Sequence, residues 1–346
     1  MRRLVPALLG LNERLRLTLF AASEAYPSLR PEPWAGEVAI ARIPVQARSR
    51  VKRVLAEQTL LPRAARRARV DLLHNTLNTA PAFAGVPQVT TIHDVIYKRF
   101  PETAGRFNAG VALLVPLAAR RSRLVLTDSQ AARSDIVEFL GVAPNRVAVA
   151  PLGPGLPEPD EPFATDEVRE ALGLGEEPIV LTVSAKRPHK NLARLLDGFA
   201  RVETEAVLLV PGFATSFEAG LKQQGGEQVE FVGWLDDRTL DGLYRASTCF
   251  VLPSLAEGFG LPVLEAMARA TPLACSDIAP LREVAGEAAV YFDPHDPAAI
   301  ARSIESLLTE RQLRAQLIAA GTERARLFTW SKTAELTLSC YERAVR

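Results

Sequence analysis

The sequence predicts an α/β protein made of two doubly wound domains, each with a parallel sheet between helices. Short apolar runs alternate with helical stretches in both halves of the 346-residue chain, an order typical of strands that connect through helices. Between the halves, residues 151–162 hold five prolines and two glycines, which is typical of a stiff linker. A chain of this length also exceeds what one hydrophobic core usually serves.

Charge divides the chain at the same place. Residues 1–155 carry 22 Lys+Arg against 11 Asp+Glu, whereas the remainder carries 19 against 29, so a formal net charge of +1 hides two halves of opposite sign. This asymmetry predicts domains with different partners, the basic one facing anionic material.

The first half reads as six strands and four helices. The predicted strands are residues 15–22, 38–43, 71–74, 88–93, 124–127 and 147–150. The predicted helices are residues 4–11, 46–69 with an interruption at Pro62, 107–121, starting at Phe107, and 130–140, with Asp128-Ser129 as the cap of the last.

The second half repeats this alternation. Its predicted strands are residues 179–183, 207–210, 229–232, 249–252, 272–275 and 289–292. Its predicted helices are residues 192–202, 216–224, 239–246, 262–268, 298–308, 311–327 and 330–345. No internal repeat is visible.

Cysteine content and hydropathy indicate the cellular environment of the protein. Cys249, Cys275 and Cys340 are too few and too scattered for a disulfide framework or a metal site, so we expect a reducing, cytoplasmic protein. Cys249 and Cys275 lie in apolar, strand-like runs and are expected to be buried thiols. The longest unbroken apolar run, 110–119, is half of the roughly 20 residues that a membrane span needs. Arg2 and Arg3 before the apolar run 4–11 resemble a signal peptide, but the polar residues 12–14 end that run early, and we reject it.

The segment 253–265 carries the clearest chemical signal. Glu257 and Glu265 flank a turn with Gly258 and Gly260, directly after the apolar run 249–252. Open α/β sheets bind ligands at the carboxyl ends of their strands, and a helix N-terminus offers free N–H groups there. We expect Pro262 to open that helix at its first position. A tight connection followed by an acid that serves the helix dipole is the structural alternative.

A basic loop follows the predicted strand 179–183. Lys186, Arg187 and Lys190 lie between this strand and a helix. Arginine can grip phosphate oxygens at two points and lysine supplies a point charge, so the loop suits a diphosphate. Solvated loop charges are the alternative.

Together these residues resemble a known family. Glu257 and Glu265, with Gly258-Phe259-Gly260-Leu261-Pro262 between them, resemble the paired-glutamate signature of retaining glycosyltransferases of family 4. The resemblance implies the GT-B fold, in which two Rossmann-like domains face a cleft and a closing helix crosses back. It implies an acceptor domain over residues 1–155, a nucleotide-sugar domain over 156–327 and the closing helix over 328–346.

The resemblance assigns roles in the second half. Glu257 would hold the sugar hydroxyls, Glu265 the ribose diol, and Arg187 and Lys190 the diphosphate. Ser184 stands where the family more often has a glycine, beside the same phosphates. Further donor contacts are implied for Gly258, Phe259, Gly260 and Leu261. Residues 231–235 resemble the family's loop near the nucleotide base, where Gly233 and Leu235 would contribute through their backbone. Gly212, which follows the predicted strand 207–210, is another candidate beside the phosphates, and Trp234 is either a contact or a packing residue.

In the first half, the resemblance covers His93 and Asp94. A histidine at a strand end is more often structural, but a His-Asp pair at this place in the family faces the donor sugar. His93 is therefore a predicted sugar ligand, and Asp94 a predicted orienting or acceptor contact. The family also opens with a strand and a glycine-rich loop, which this sequence lacks at its start.

The implied reaction moves a sugar, with retention, from a GDP- or UDP-sugar to a hydroxyl acceptor in cell-envelope polysaccharide or glycolipid synthesis. The His93 run and the basic loop look somewhat like those of mannosyltransferases, which favours GDP-mannose. Fixed cations can stabilise the leaving charge. The sequence has no Asp-x-Asp and no His/Cys cluster, so no metal or other cofactor is implied.

Other functions remain open at this point. A non-catalytic relative that binds nucleotide, glycan or a partner enzyme fits the same motifs, and a pyridoxal-phosphate phosphorylase fits less well. The basic stretch from Arg48 to Arg69 is either a surface for anionic lipid, which would make the protein peripheral at the membrane, or a solvated face. Nucleic acid is not expected, because no recognition module accompanies the charge.

Overall fold

A computed structural model describes residues 1–46, 49–100, 108–159 and 161–346. The chain forms two compact units. Unit 1 comprises Met1–Leu152 and Thr329–Arg346, and unit 2 comprises Gly153–Phe328. The sequence-based boundaries at residues 155 and 327 fall close to these positions.

The described strands of unit 1 form two parallel sheets. They are β1 (Thr18–Ala22), β2 (Ala39–Ile43), β3 (Leu73–Asn75), β4 (Gln88–Thr91), β5 (Leu124–Thr127) and β6 (Val147–Val149). Strands β1 and β2 pair with each other, and the other four form a sheet in the order β3-β4-β5-β6. Every residue of β4 and β5 is buried, as expected for central parallel strands that are covered on both faces.

Helices cover these sheets. They are α1 (Leu4–Leu11), α2 (Tyr26–Leu29), α3 (Arg50–Ala68), α4 (Ile96–Arg99), α5 (Asn108–Arg121), α6 (Gln130–Leu140) and, at the end of the chain, α15 (Trp330–Val345). Leu4 and Leu8 of α1 pack against Ala334 of α15. On the sheet side of α15, Cys340 and Ala344 contact Leu124 and Leu126 of β5. The closing helix therefore completes the core of unit 1.

One sequence-based expectation for unit 1 needs correction. Helix α3 runs without a break through Pro62, because packing on both sides of the proline, where Leu61 and Ala65 contact Phe20 and Leu73, outweighs one lost hydrogen bond. The predicted cap of α6 is confirmed at Ser129, whose hydroxyl accepts from the Ala132 N–H, and Asp128 is left for another role. The predicted helix start at Phe107 lies outside the described residues.

Unit 2 contains one sheet of six parallel strands. They are β7 (Ile179–Leu181), β8 (Val207–Pro211), β9 (Val229–Gly233), β10 (Cys249–Leu252), β11 (Leu273–Ser276) and β12 (Ala289–Phe292). The order is β12-β11-β10-β7-β8-β9. The chain thus proceeds outward in one direction from β7 and in the other from β10, which makes the β7–β10 pair the topological switch point.

Eight helices are described in unit 2. They are α7 (Thr165–Leu172), α8 (Leu192–Phe199), α9 (Glu218–Gln224), α10 (Asp237–Ala246), α11 (Leu261–Ala268), α12 (Ala279–Ala285), α13 (Pro297–Thr309) and α14 (Arg311–Ala325). The sequence reading missed α7 and α12. Pro262 occupies the second position of α11, one residue later than expected.

The core of unit 2 joins its sheet to its helices. Val180, Leu208 and Val251 of the strands pack with Leu195 and Ile304 of the helices. All three cysteines are buried and free, as predicted for Cys249 and Cys275, and burial raises the pKa of the Cys249 thiol to about 12. None of the described helices combines the length and the apolar character that crossing a bilayer requires.

Candidate active site

The switch point of unit 2 brings two predicted motifs together. The loop after β7 and the loop after β10 leave neighbouring strands at the same edge of the sheet. The Asn191 side-chain amide donates to the Pro253 carbonyl at 2.9 Å, and the Leu255 N–H donates to the His189 carbonyl at 2.8 Å. These bonds tie the basic loop to the segment that carries Glu257.

Lys190 and Glu257 meet across this junction. Lys190 Nζ lies 2.7 Å from Glu257 Oε1, and the two side chains are only 17% and 9% exposed. Ser254 Oγ donates to the same carboxylate oxygen at 2.7 Å. Two residues predicted to act on a donor are therefore held in one ion pair, which the sequence reading did not foresee.

Histidine 189 lies beside this pair and is neutral. Burial lowers the pKa of its imidazole to about 4, with further lowering by Lys190 and Arg187 and an opposing effect of Glu257. Its Nδ1 atom is buried and has no hydrogen-bond partner among the described residues. The Arg187 side chain is exposed at the same loop. Arg187 and Glu257 thus lie within electrostatic range of one imidazole.

Lys186 differs from its predicted role as a free cation. Its side chain is fully buried, and Nζ donates to the Gly212 carbonyl at 2.7 Å. Burial lowers the pKa of the Lys186 ammonium. The lysine therefore serves to hold the loop after β8 against the loop after β7.

Gly212 requires its lack of a side chain. Its φ is +125°, and a Cβ atom there would lie 2.5 Å from the Ser184 carbonyl oxygen. The Gly212 N–H donates to the Gly233 carbonyl at 2.6 Å. The predicted residues Ser184, Gly212 and Gly233 thus come together at the ends of three adjacent strands.

An exposed aromatic pair borders this edge. Phe213 and Trp234 stack with ring centroids 4.3 Å apart, and they are 61% and 64% exposed. Leu235, the predicted backbone contact, follows in a half-buried position. Trp234 is therefore a surface residue.

Glu265 faces the protein on both of its oxygens. Oε1 accepts from the Leu156 N–H at 3.2 Å, and Oε2 accepts from the Tyr244 hydroxyl at 3.1 Å. Burial raises the pKa of this carboxyl, against the opposing effects of Tyr244, Arg269 and the Leu156 amide. A Cβ atom at Gly155 would lie 2.7 Å from Oε1. The linker and the second glutamate are thus in direct contact.

The turn between the two glutamates is shaped by packing. The Phe259 ring is buried edge-to-face against Phe328, with centroids 5.8 Å apart, so only its backbone is available to a ligand. Gly260 has φ +109°, and a Cβ there would lie 2.6 Å from Leu281. Gly258 and Leu261 are half-buried at the start of α11.

The predicted residues of unit 1 occupy the carboxyl end of β4. His93 Nδ1 lies 2.6 Å from Asp128 Oδ2, and Nε2 lies 3.0 Å from the Thr76 carbonyl oxygen. Burial lowers the pKa of His93, but Asp128, Thr76 and Asp94 together outweigh it and leave that pKa raised. Asp94 Oδ1 accepts from the Ile96 N–H at 3.0 Å.

Sequence reasoning missed several polar residues of these sites. Ser254, Asn191 and Tyr244 of unit 2 and Asp128 of unit 1 bond directly to predicted residues or to their loops. Ser254 lies three residues before Glu257, so spacing alone could have suggested it. Among the described residues, no group of three or more His, Cys, Asp or Glu side chains is placed to hold a metal ion.

Comparisons with known proteins agree with the motifs in both units. The family model described as Glycosyl transferases group 1 matches residues 164–324. The model described as Glycosyltransferase Family 4 matches residues 8–153.

Two curated relatives are mannosyltransferases by name. The chain is 31% identical over 310 residues to the MMP alpha-(1->4)-mannosyltransferase of Mycolicibacterium hassiacum, a match that covers 82% of this chain and 72% of the relative. It is 28% identical over 265 residues to the O-antigen chain mannosyltransferase B of Escherichia coli, covering 73% and 70%.

A solved structure shares the fold. The crystal structure of Anabaena Alr3699/HepE in complex with UDP and glucose superimposes with a TM-score of 0.74 at 20% identity, over 99% of this chain and 95% of that one. Matches in both units, together with a relative above 30% identity over most of both chains, place this protein in glycosyltransferase family 4, with the GT-B fold.

Proposed function

We propose that this protein is a retaining glycosyltransferase that needs no metal and moves a sugar, mannose first among the candidates, from a nucleotide diphosphate donor to a hydroxyl of a glycan or glycolipid. The observation that carries this proposal is the Lys190–Glu257 ion pair at the switch point of unit 2. It sets a cation and a carboxylate side by side where open α/β sheets bind ligands.

The two members of the ion pair suit the two parts of a sugar diphosphate, the cation its phosphates and the carboxylate its sugar. When the bond between the sugar carbon and the diphosphate oxygen breaks, its electron pair leaves with the diphosphate, and the sugar carbon becomes electron-poor. Lys190 and Arg187 provide positive charge for the leaving oxygens, and the N-terminus of α11 adds N–H dipoles. Glu257 provides a carboxylate for the sugar hydroxyls, so the donor would replace the direct contact between the two side chains.

The acceptor hydroxyl would attack the same face that the diphosphate leaves. Its oxygen forms the new bond to the sugar carbon, and its proton passes to a departing diphosphate oxygen, so the anomeric configuration is retained. The exposed Arg187 and the partly exposed Lys190 can follow the departing charge. This charge balance is the reason to propose a reaction without a metal.

The other parts of the nucleotide-sugar donor fit polar atoms at the same edge of the unit 2 sheet. Ser184 Oγ and Thr182 Oγ1 are buried and lack a hydrogen-bond partner among the described residues, and both follow β7. The Gly212 loop brings backbone close to them. Glu265 would meet the ribose diol, with its oxygens held in place by Tyr244 and Leu156.

The names of the relatives favour mannose, whereas the structural neighbour was solved with UDP and glucose. We therefore propose GDP-mannose as the first donor to test and UDP-glucose as the second. Isothermal titration with GDP, UDP and ADP ranks the nucleotides, and NMR of the product gives its anomeric configuration. Inversion, or activity that disappears with EDTA and returns with Mg²⁺, would contradict the proposal.

Nucleotide binding without any turnover would favour the other candidate, a non-catalytic member of the family. A screen of GDP-, UDP- and ADP-sugars by melting temperature identifies the nucleotides that bind, because a ligand of the folded state raises stability with the logarithm of its concentration relative to its Kd, and a transfer assay then separates the cases. Lys190→Met is the control, since a shift in melting temperature that persists in this variant does not come from binding at the proposed diphosphate site.

The acceptor is proposed to lie at an anionic surface. Helix α3 exposes Val51 and Leu55 beside Lys52 and Arg53, and its last turn adds Arg66 and Arg67; Arg48 lies outside the described residues. Such a face favours anionic lipid. Sedimentation with vesicles of phosphatidylglycerol and phosphatidylcholine tests it, and equal binding by a Val51→Ser/Leu55→Ser variant would count against it.

A further inference from the structure

His93 is fixed where three strands of unit 1 end. It follows β4, its Nδ1 meets Asp128 after β5, and its Nε2 meets the Thr76 carbonyl after β3. The backbone N–H of His93 also donates to Asn78 Oδ1 at 2.8 Å, and the backbone N–H of Asn78 donates to the Thr91 carbonyl at 3.0 Å. The ring therefore has one orientation, set by groups from three chain segments.

The chemistry of these partners decides the protonation state of the ring. A carboxylate and a backbone carbonyl accept hydrogen bonds and cannot donate them, so each ring nitrogen of His93 must carry a hydrogen to satisfy its partner. A neutral imidazole has only one such hydrogen. The two contacts are both satisfied only by the imidazolium cation.

His74 provides a contrast within the same unit. Its Nδ1 lies 2.6 Å from the Tyr341 hydroxyl and its Nε2 lies 2.7 Å from Thr91 Oγ1. Hydroxyl groups donate as well as accept, so a neutral ring satisfies both contacts. Burial lowers the pKa of His74 to about 4. Two neighbouring histidines are thus held in opposite charge states by the chemistry of their partners.

The charges around His93 come from each neighbouring segment. Asp128 stands after β5 and is almost fully buried, at 6% side-chain exposure, whereas the His93 side chain is 40% exposed. Asp94 adds negative charge from the adjacent position. His74 of β3 lies within electrostatic range, but it is neutral. The buried carboxylate of Asp128 is the group in direct contact with the ring.

We propose that Asp128 is a positioning residue that holds His93 as an imidazolium cation through the neutral pH range. The exposed part of the ring then offers a fixed positive charge to an anionic or electron-rich oxygen, and no proton acceptor. His93 would not serve as a general base. Only this consequence for transfer rests on the proposed function; the charge state of His93 does not.

Histidine-selective NMR of the full-length protein tests the charge state directly. The chain has four histidines, so the imidazole nitrogens can be assigned with a His93→Gln variant. We expect His93 in the wild type to stay doubly protonated at pH 7 and its pKa to fall by about 1–3 units in Asp128→Asn. Titration of wild-type His93 near the ordinary value of about 6.5 would overturn the proposal.

Two further variants complete the test. Asp135→Asn makes the same change at a surface pair with Arg99 in the same unit, and it should leave the His93 titration unchanged. Asp128→Glu keeps the charge and should keep the raised pKa, which preserves the test if Asp128→Asn does not fold. An equal effect of Asp135→Asn and Asp128→Asn would contradict a specific role for Asp128.

The pH profile of transfer distinguishes this proposal from the proposed function. In Asp128→Asn with a His93 pKa near 6.5, kcat/KM should fall about 20- to 30-fold from pH 6 to pH 8, whereas the wild-type profile should lack this limb. No transfer with any donor, together with a doubly protonated His93, would reject the function and keep the charge state. Transfer with an ordinary His93 titration would do the reverse.

Discussion

Both units place polar side chains at the carboxyl ends of parallel strands, but they fix them by different chemistry. Unit 2 uses a lysine against a carboxylate, in the pair of Lys190 with Glu257. Unit 1 uses histidines, with His93 on Asp128 and His74 between Tyr341 and Thr91. The difference matters because histidine is the side chain whose ordinary pKa lies in the physiological range.

The comparison indicates a division of work. The charged groups of unit 2 suit a ligand that brings its own charge, as a diphosphate does. The histidines of unit 1 depend on their partners for their charge state. Substitutions in unit 2 should therefore act mainly through lost or unpaired charge, and substitutions in unit 1 should act through pH dependence.

The largest expected effect on stability is at Arg269. This side chain is buried, its Nε lies 2.7 Å from Asp241 Oδ1, and its NH2 donates to the carbonyls of Leu156 and Pro157. Arg269→Leu removes the donor of two carbonyls and leaves Asp241 with Arg245 as its remaining cation, so we expect a loss of about 3 kcal/mol in unfolding free energy. Urea unfolding measures it.

Arg282→Leu is the matched control, because Arg282 pairs with Asp277 at the surface of the same unit. It should leave the urea midpoint unchanged within error. Equal losses at Arg269 and Arg282 would show that burial of the charge in unit 2 does not matter.

The next effect is on the rate of transfer. Lys190→Met and Glu257→Gln should each lower kcat by about 10²- to 10³-fold, because each removes a fixed charge from the reacting groups. The double variant should lose little more than either single variant, since the two residues act as a pair. Near-normal rates in either single variant would break the proposed role of unit 2.

Measurements of stability distinguish the Lys190–Glu257 pair from the neighbouring Arg187. Each single variant leaves a mostly buried charge without its partner, so the double variant should be more stable than either. Arg187→Ala removes an exposed charge at the same loop, and it should lower the transfer rate while the urea midpoint stays constant. A drop in both quantities for Arg187→Ala would assign this residue to folding instead.

A pH-dependent effect is expected at His74. Its pKa is about 4 in the folded protein and about 6.5 in the unfolded chain. Between these values only the unfolded chain takes up the proton, so unfolding free energy falls as pH drops from 6.5 to 4, by about 1.4 kcal/mol per pH unit. His74→Gln should make this decline shallower, as measured by urea unfolding at pH 6.5, 5.5 and 4.5.

His189 allows the same test in unit 2, because its pKa is also about 4. His189→Gln should likewise make the decline shallower. His93 should affect stability with the opposite sign, because its pKa is raised in the folded protein. The stability that it adds is fully present below its unfolded-state pKa and is lost as pH rises through its folded-state pKa. Unchanged slopes in both glutamine variants would show that these rings are not held neutral.

The smallest effect is expected at Trp234. Its ring is exposed and stacks on Phe213, and the loop is proposed to meet the nucleobase through the backbone of Gly233 and Leu235. Trp234→Ala should therefore change the Kd for the nucleotide less than about threefold, or about 0.6 kcal/mol. A loss of tenfold or more by titration calorimetry would mean that the base stacks on the ring.

Sequence reasoning found the fold because its signals are local. Strand β10, the glycine turn and α11 are encoded by an apolar run, Gly258 and Gly260, and Pro262, all within a short stretch. The parallel alternation in both halves follows from the same kind of pattern. Short helices such as α2 and α4 escape it because a single turn has no period to detect.

The contacts within the sites could not be predicted from the sequence, because they join residues that are far apart along the chain. Lys190 and Glu257 are 67 positions apart, and the burial of Lys186 depends on a carbonyl 26 positions later. Asp128 and Ser129 are equally good helix caps by type, and only the position of His93 decides between them. Motifs name the participants, whereas the fold decides which of them touch.

The close approach of Gly155 to Glu265 has an evolutionary consequence. Any side chain at residue 155 would have to displace the Glu265 carboxylate, because even a methyl carbon there would lie 2.7 Å from Oε1, which already accepts from the Leu156 N–H. The sequence of the linker is thus constrained by the conformation of the Glu265 side chain as well as by its own length and stiffness. Change at either place would require compensation at the other.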